Sequence, residues 1–322
     1  MLLTPPQARA LYEHAVSHRY AVLAVNADSP AAIVDCLLAA KECEAPVIIE
    51  TSLWQLTGHS FGAGDPTLGI DRYLATLRTL AESGRFQDVP VIYHTDHIKG
   101  PDTLPILRHA MEENASSISL DSSEMTEEEN VETLSALCRF ALESGLEATL
   151  EMEAGVDDGI TPLSETRSLF GQIEERHPGF LALWAPGVGT CHGLGSDPQA
   201  FSPEAVREHR ELASDLAGRP IGIALHGSSG LDPRRLAEAV AAGVAKVNWS
   251  SESLLIRSQA ARAFYAEKGD QLEKGQPDFK ETAMDNGVQK AVSQVYVPRV
   301  VDRIRSLHGE GQGTSFLNTL FS

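Results

Sequence analysis

A chain of 322 residues that is 42% apolar can bury a large core, and a formal net charge of −19 sets it against nucleic acid and anionic membrane surfaces as partners. No apolar run approaches the roughly 18–20 residues that span a bilayer, and the opening MLLTPPQARALYEHAV lacks the basic-then-apolar order of a signal peptide. Cys36, Cys43, Cys138 and Cys191 are scattered without a C-x-x-C pair, which argues against a zinc ribbon or a disulfide framework and for a reduced, cytoplasmic protein. To bind phosphate, so acidic a protein must build a local positive site from a metal, backbone N–H groups or a few cations.

In chain order, short apolar runs alternate with amphipathic segments. Tyr20–Asn26 (YAVLAVN) is the first candidate strand, and Ser29-Pro30 opens a helix through Lys41 with proline in its first turn. Pro46–Thr51 (PVIIET) and Pro90–His94 (PVIYH) are the next strands, followed by a helix from Asp102 to Glu113. Ser117–Asp121 (SISLD) is the fourth strand, and the acids after Thr126 suit the positive end of a helix dipole. Glu147–Glu153 (EATLEME) and Phe180–Trp184 (FLALW) come fifth and sixth. Ser202-Pro203 starts a helix, Pro220–His226 (PIGIALH) is the seventh strand, Asp232-Pro233 starts another helix, and Ala245–Asn248 (AKVN) is the eighth strand. Eight β-then-α units in about 250 residues favour a closed (β/α)8 TIM barrel over a doubly wound sheet. From about residue 250 the pattern is helical, with a polar break at Lys268–Lys280. No linker or repeat intervenes, so residues 1–322 read as one α/β barrel domain with a helical C-terminal extension.

Barrel enzymes place their chemistry at the C-terminal ends of the strands. Here those ends read His94-Thr95-Asp96-His97, Asp121-Ser122-Ser123-Glu124, Glu151-Met152-Glu153, Cys191-His192-Gly193 after the sixth strand, His226-Gly227-Ser228-Ser229-Gly230, and Asn248-Trp249-Ser250-Ser251. His97, His192 and His226 converge at one mouth, and three histidines with an open fourth position form a catalytic zinc arrangement. A lone strand-end histidine is more often structural; three together shift the balance to metal. His14, His18, His109, His177, His209 and His308 fall on helical or loop segments and read as surface residues, while His59 in a Gly-rich loop stays open. Gly227-Ser228-Ser229-Gly230 before a helix is a phosphate-cradle pattern, weak alone but strengthened by the small polar turn Asn248–Ser251 on the neighbouring strand.

Together these residues resemble the class II fructose-bisphosphate aldolase family from Leu23–Ser29 (LAVNADS) to Val295–Arg299 (VYVPR). HTDH, LDSSE, LEMEAG, the HG pair at His192-Gly193, HGSSG and KVNWSS follow in the family's order. The resemblance implies zinc ligands His97, His192 and His226, with Asp121 and Glu153 able to hold zinc in a second or alternate position. It implies that Asp96 exchanges a proton with the aldehyde oxygen. Gly193, Gly227, Ser228 and Ser229 match loops for the dihydroxyacetone-phosphate end, and a monovalent cation (K+ or Na+) accompanies some of their backbone groups in the family. Asn248, Trp249, Ser250 and Ser251 match the second phosphate-side turn, Asn26 and Ser52 match substrate contacts, and Arg299 matches an arginine for the distal phosphate, often reached from a neighbouring subunit. A phosphorylated sugar substrate and a homodimer or larger homo-oligomer follow.

The chemistry is consistent with that assignment. Breaking a C–C bond beside a ketone leaves a carbanion that must be delocalised as an enediolate, and zinc on the oxygens is a charge sink. A Schiff-base lysine is then unnecessary, although Lys246 shares a strand face with Asn248. Three features depart from the family pattern. The loop carrying the carbon base is shortened to 155–159, leaving Asp157 or Asp158 for that role. Ser250 replaces an aspartate beside an unusual Trp249, and Leu53-Trp54-Gln55 replaces small residues. Fructose 1,6-bisphosphate is the default substrate, with tagatose bisphosphate or a modified ketose phosphate as the alternative. A zinc hydrolase on the same barrel would not need the phosphate turns, and a non-catalytic sugar-phosphate binder would not need Asp96 and all three histidines.

Overall fold

The computed structural model describes all residues except Ser122, Ser123, Val156, Asp158, Ser196 and Pro198. Eight parallel strands close into a barrel in sequence order. They are β1 (Val22–Asn26), β2 (Val47–Thr51), β3 (Val91–Thr95), β4 (Ser117–Ile118), β5 (Leu150–Glu153), β6 (Leu181–Ala185), β7 (Gly222–Leu225) and β8 (Val244–Trp249). The seam between first and last strands pairs Val22 with Lys246 and Ala24 with Asn248. Strands two and three start one residue past Pro46 and Pro90, which have no N–H to give to a ladder. β4 is shorter than the run Ser117–Asp121 predicts, because Asp121 N turns away to bond Ile98 O.

α1 (Pro5–His18) closes the N-terminal end of the barrel, packing Leu11, Tyr12 and Ala15 against inward residues such as Ala24, Ile48 and Ala224. Full burial of a side chain such as Leu11 stabilises by about 1.5–3 kcal/mol, so Leu11→Asp would unseat this plug. α2 (Pro30–Glu42) starts where Ser29 accepts from Ala32 N. α3 (Leu53–Thr57) and α4 (Pro66–Ala81) follow β2, and α5 (Thr103–Glu112) follows β3. α6 (Glu127–Ser144) opens with a capping box between Thr126 and Glu129 and ends at Gly145 in the left-handed region. Between β5 and β6, α7 (Leu163–Glu165) runs through a π-helical turn, Thr166–Gly171, into α8 (Gln172–Arg176). α9 (Pro203–Ala217) and α10 (Pro233–Ala242) complete the outer ring, capped by Ser202 and Asp232.

Beyond β8 come α11 (Ser251–Lys268), a 3-10 turn at Gly269–Leu272, α12 (Phe279–Ala283), α13 (Asp285–Ser306) and α14 (Gln312–Leu320). α13 packs on α2 and α11, and α14 reaches α1. Two histidines expected at the surface are buried. His14 lies against Tyr20 and Phe316, and His209 is held by Thr166 Oγ1 at 2.7 Å and Thr161 O at 2.9 Å. Each occupies the inward stripe of its helix, where a ring with polar partners is tolerated. His109 and His177 are half-buried; His18 and His308 are exposed. Among the described residues no helix is long and apolar enough to cross a membrane.

Candidate active site

Side chains alternate along a strand, so one parity faces the barrel axis. Leu23, Val25, Val47, Ile49, Val91 and Tyr93 pack outward beneath the helices, while Ala24, Ile48 and Ile92 face in. The inward parity, continued toward the C-terminal mouth, is polar: Asn26, Glu50, His94, Asp96, His226, Lys246 and Asn248. The polar mouth is therefore a continuation of the strand pattern.

His97, His192 and His226 meet at this mouth. Their ring centroids lie 4.7, 5.1 and 5.8 Å apart, and one nitrogen of each falls within 4.8 Å of the others. His97 adopts a left-handed backbone, φ 50°, uncommon for a residue with a Cβ and frequent at functional sites. His226 presents Nε2 to Glu151 Oε1 at 2.9 Å, while its buried Nδ1 makes no hydrogen bond. Burial, reinforced by the charge of neighbouring groups including Lys246, pushes this imidazole well below the usual histidine range. A neutral ring with one nitrogen fixed and the other unsatisfied is what a metal ligand requires, so the residues present fit a zinc ion. His192 is fixed by Asp157, which accepts from its backbone N at 2.7 Å and contacts Nδ1 at 3.0 Å.

Asp121 and Glu153 stand 3.8 and 3.9 Å from His97 Nδ1. Ser119 donates to Glu153 at 2.9 Å, and burial, with Glu151 beside it, pushes the Glu153 carboxyl well above its usual range. Asp96 is buried and accepts from Asn26 at 3.1 Å and from Asn248 at 3.1 Å. Burial alone would raise its pKa; His97, Lys246 and the Asn26 bond more than offset this and bring it down to about 2. Asn26 and Asn248, expected to touch substrate, are thus donors to Asp96.

Two cavities adjoin the triad. A small one of about 130 Å³ brings together Ser52, Gly193, Gly227, Ser228, Ser229, Asn248, Ser250 and Ser251. Gly227 has φ 63°, and a Cβ there would lie 2.5 Å from Cys191 O, so only glycine allows this approach. A larger cavity of about 430 Å³ holds Leu53, Trp54, Lys99, Asp121, Glu153 and Asp157. Asp158 lies outside the described residues.

Two of the expected site residues lie away from both cavities. Trp249 follows the inward Asn248, so strand parity turns it outward; its ring stacks on Tyr296 at 5.9 Å and donates to Glu252 at 2.8 Å, away from both cavities. Arg299 is exposed on α13 and lines a separate groove that shares no residue with either cavity. Sequence motifs also missed a layer beneath the site, legible only through parity. Lys246 Nζ lies 3.0 Å from Glu151 and 3.4 Å from Glu50, all fully buried, and His94 contacts Ser117 at 2.9 Å. Burial opposes the Lys246 ammonium, but the two carboxylates outweigh it and raise the pKa, so this lysine keeps its proton and is unsuited to Schiff-base chemistry.

The fold and mouth define a TIM-barrel enzyme with a metal-ready histidine triad beside a carboxylate and an anion-sized cradle. Its relatives narrow this further. A model of the family described as "Fructose-bisphosphate aldolase class-II" matches residues 6–309, and the chain belongs to that family of metal-dependent carbon–carbon lyases, which cleave phosphorylated sugars by aldol chemistry. It is 25% identical over 321 residues to a fructose-bisphosphate aldolase of Saccharomyces cerevisiae, covering 90% of this chain and 87% of the relative. It is 30% identical over 265 residues to one of Streptococcus pyogenes serotype M3, covering 80% and 82%. Among solved structures it resembles a fructose-bisphosphate aldolase from Campylobacter jejuni (TM-score 0.81, 22% identity, 96% of both chains). It also resembles the YdjI aldolase from Escherichia coli K12 (TM-score 0.72, 21% identity, 97% and 100%).

Proposed function

We propose that the protein carries out zinc-dependent, reversible cleavage of a ketose bisphosphate, fructose 1,6-bisphosphate first, to dihydroxyacetone phosphate and glyceraldehyde 3-phosphate. The observation that supports this best is the convergence of His97, His192 and His226 beside Asp96, with the buried Nδ1 of His226 left without a hydrogen-bond partner. When bound by these three histidines, zinc supplies a Lewis acid next to the substrate carbonyl. Asp121 and Glu153 offer an alternate position. Asp96, fixed by Asn26 and Asn248, exchanges a proton with the aldehyde oxygen. The loop 155–159 supplies the carbon base from Asp157 or Asp158; in the state described Asp157 clamps His192, so it acts as base only after turning away. Backbone N–H groups of the turns at Gly193, Gly227–Ser229 and Ser250–Ser251 bind the dihydroxyacetone-phosphate end, with Ser52 alongside. A monovalent cation beside these turns, and a homodimer in which Arg299 reaches the neighbouring site, complete the reading.

A second reading, a tagatose bisphosphate or a modified ketose phosphate, draws support from Trp54, which is 87% exposed at the rim of the larger cavity and offers a sugar face an aromatic plate. A panel of ketose phosphates assayed for release of dihydroxyacetone phosphate, with metal-free and zinc- or cobalt-reconstituted protein, distinguishes the two. Zinc-dependent release is expected; full activity of the metal-free protein would refute the metal assignment.

A further inference from the structure

The guanidinium of Arg303, on α13, is buried behind the turn Ser228–Leu231. Its Nη2 donates to Ser228 O at 2.7 Å and Ser228 Oγ at 2.9 Å, and its Nη1 donates to Leu231 O at 3.2 Å. Ser228 Oγ in turn donates to Asn248 O at 2.5 Å, tying the turn after β7 to the end of β8. The cation lies over the Trp249 ring, 5.5 Å from its centroid, and Glu252 Oε2 meets both Arg303 Nη1 at 3.4 Å and the Trp249 indole at 2.8 Å. Burial lowers the guanidinium to about 10, with Glu252 opposing, so it stays charged at neutral pH.

In a trans peptide the C=O of one residue and the N–H of the next point in opposite directions. A cation that holds Ser228 O behind the turn therefore aims the N–H of Ser229 toward the front, where Ser228 and Ser229 line the small cavity. A guanidinium holds two nitrogens in a rigid planar fork that meets Ser228 and Leu231 separately; an ammonium is a single point of charge that does not reproduce that spacing.

We propose that Arg303 is a positioning residue for the anion cradle, fixing the Ser228–Leu231 turn from behind so that the Ser229 amide presents to the substrate phosphate, with Trp249 and Glu252 holding the guanidinium in place. This rests on the reading of that turn as a phosphate site. It also gives Trp249 a role: it is the plate under the cation.

The test pairs a binding measurement with an exchange measurement. Metal-free protein is titrated with inorganic phosphate by calorimetry, and zinc-loaded protein is assayed for carbon proton exchange on dihydroxyacetone phosphate and on unphosphorylated dihydroxyacetone. If wild type neither binds phosphate nor prefers the phosphorylated ketone, the cradle reading itself fails. Given that preference, Arg303→Lys and Arg303→Met should each weaken phosphate binding, and raise KM for dihydroxyacetone phosphate, by about tenfold or more, the scale of lost charged hydrogen bonds. Exchange on unphosphorylated dihydroxyacetone should stay within about twofold, as for a change remote from the reacting carbon. Unchanged phosphate affinity, or equal losses on the two ketones, would overturn the proposal. If Arg303→Met loses its cooperative melt, Arg303→Lys decides, because it keeps a cation in the same space and gives up only the planar two-nitrogen fork.

Discussion

Asp96 and His97 are neighbours in sequence but differ in their surroundings. Asp96 spends its oxygens on two amide donors, whereas His97 turns through a left-handed backbone to face the other two rings. Asp96→Ala should therefore cut turnover by about 10²–10⁴, the scale of lost general acid–base catalysis, with zinc content near wild type; zinc lost in step with activity would make Asp96 a ligand instead. Glu151 holds His226 at the nitrogen opposite the free one. Competition with a chromophoric chelator should show Glu151→Gln lowering zinc affinity by about 10–100-fold, as for groups that orient metal ligands. Unchanged affinity would mean the contact does not orient the ligand. The sequence made the triad legible because His97 sits in HTDH and the other two histidines sit in HG pairs after the sixth and seventh strands. Glu50 carries no motif and was invisible except through its even spacing with Ile48. Trp249 was misread because the small polar residues around it drew it into their turn, although strand parity sends it the other way.

The strands were legible as elements because fully buried parallel strands are unbroken apolar runs bounded by Pro, Gly and polar residues. The π-helical turn Thr166–Gly171 was not, since one extra residue per turn barely alters an amphipathic pattern. Helix faces were also hard to read: His14 lies on the face of α1 that receives α14, against Phe316. Burial, with His18 adding, lowers His14 from 6.5 to about 4, so the fold favours its neutral form. Stability from this contact is thus complete above pH 6.5 and declines as pH falls from there toward about 4. Urea midpoints measured across that range should fall for the wild type and flatten for His14→Gln; parallel slopes would assign the acid sensitivity to other groups.

For the whole molecule, the groove that holds Arg299 is separate from both cavities, so an arginine serving the distal phosphate would have to do so across an interface. Arg299→Ala should lower kcat/KM for a ketose bisphosphate by about tenfold or more while barely changing that for a 1-monophosphate, because a guanidinium fork on phosphate is lost. Mixing Arg299→Ala chains with Asp96→Ala chains should then restore roughly a quarter of wild-type activity in a twofold-symmetric dimer, one good site in each mixed pair. No recovery would leave Arg299 serving its own chain or none. The buried charges below the site bear on how the barrel closes. A slip of one residue at the seam of β8 with β1 would swing Lys246 out among the aliphatic side chains under the helices and strand Glu50 and Glu151 without a counter-charge. Orphaning a buried ion in this way costs about 3–5 kcal/mol, so these three side chains proofread the alignment of the two chain-distant strands that complete the cylinder.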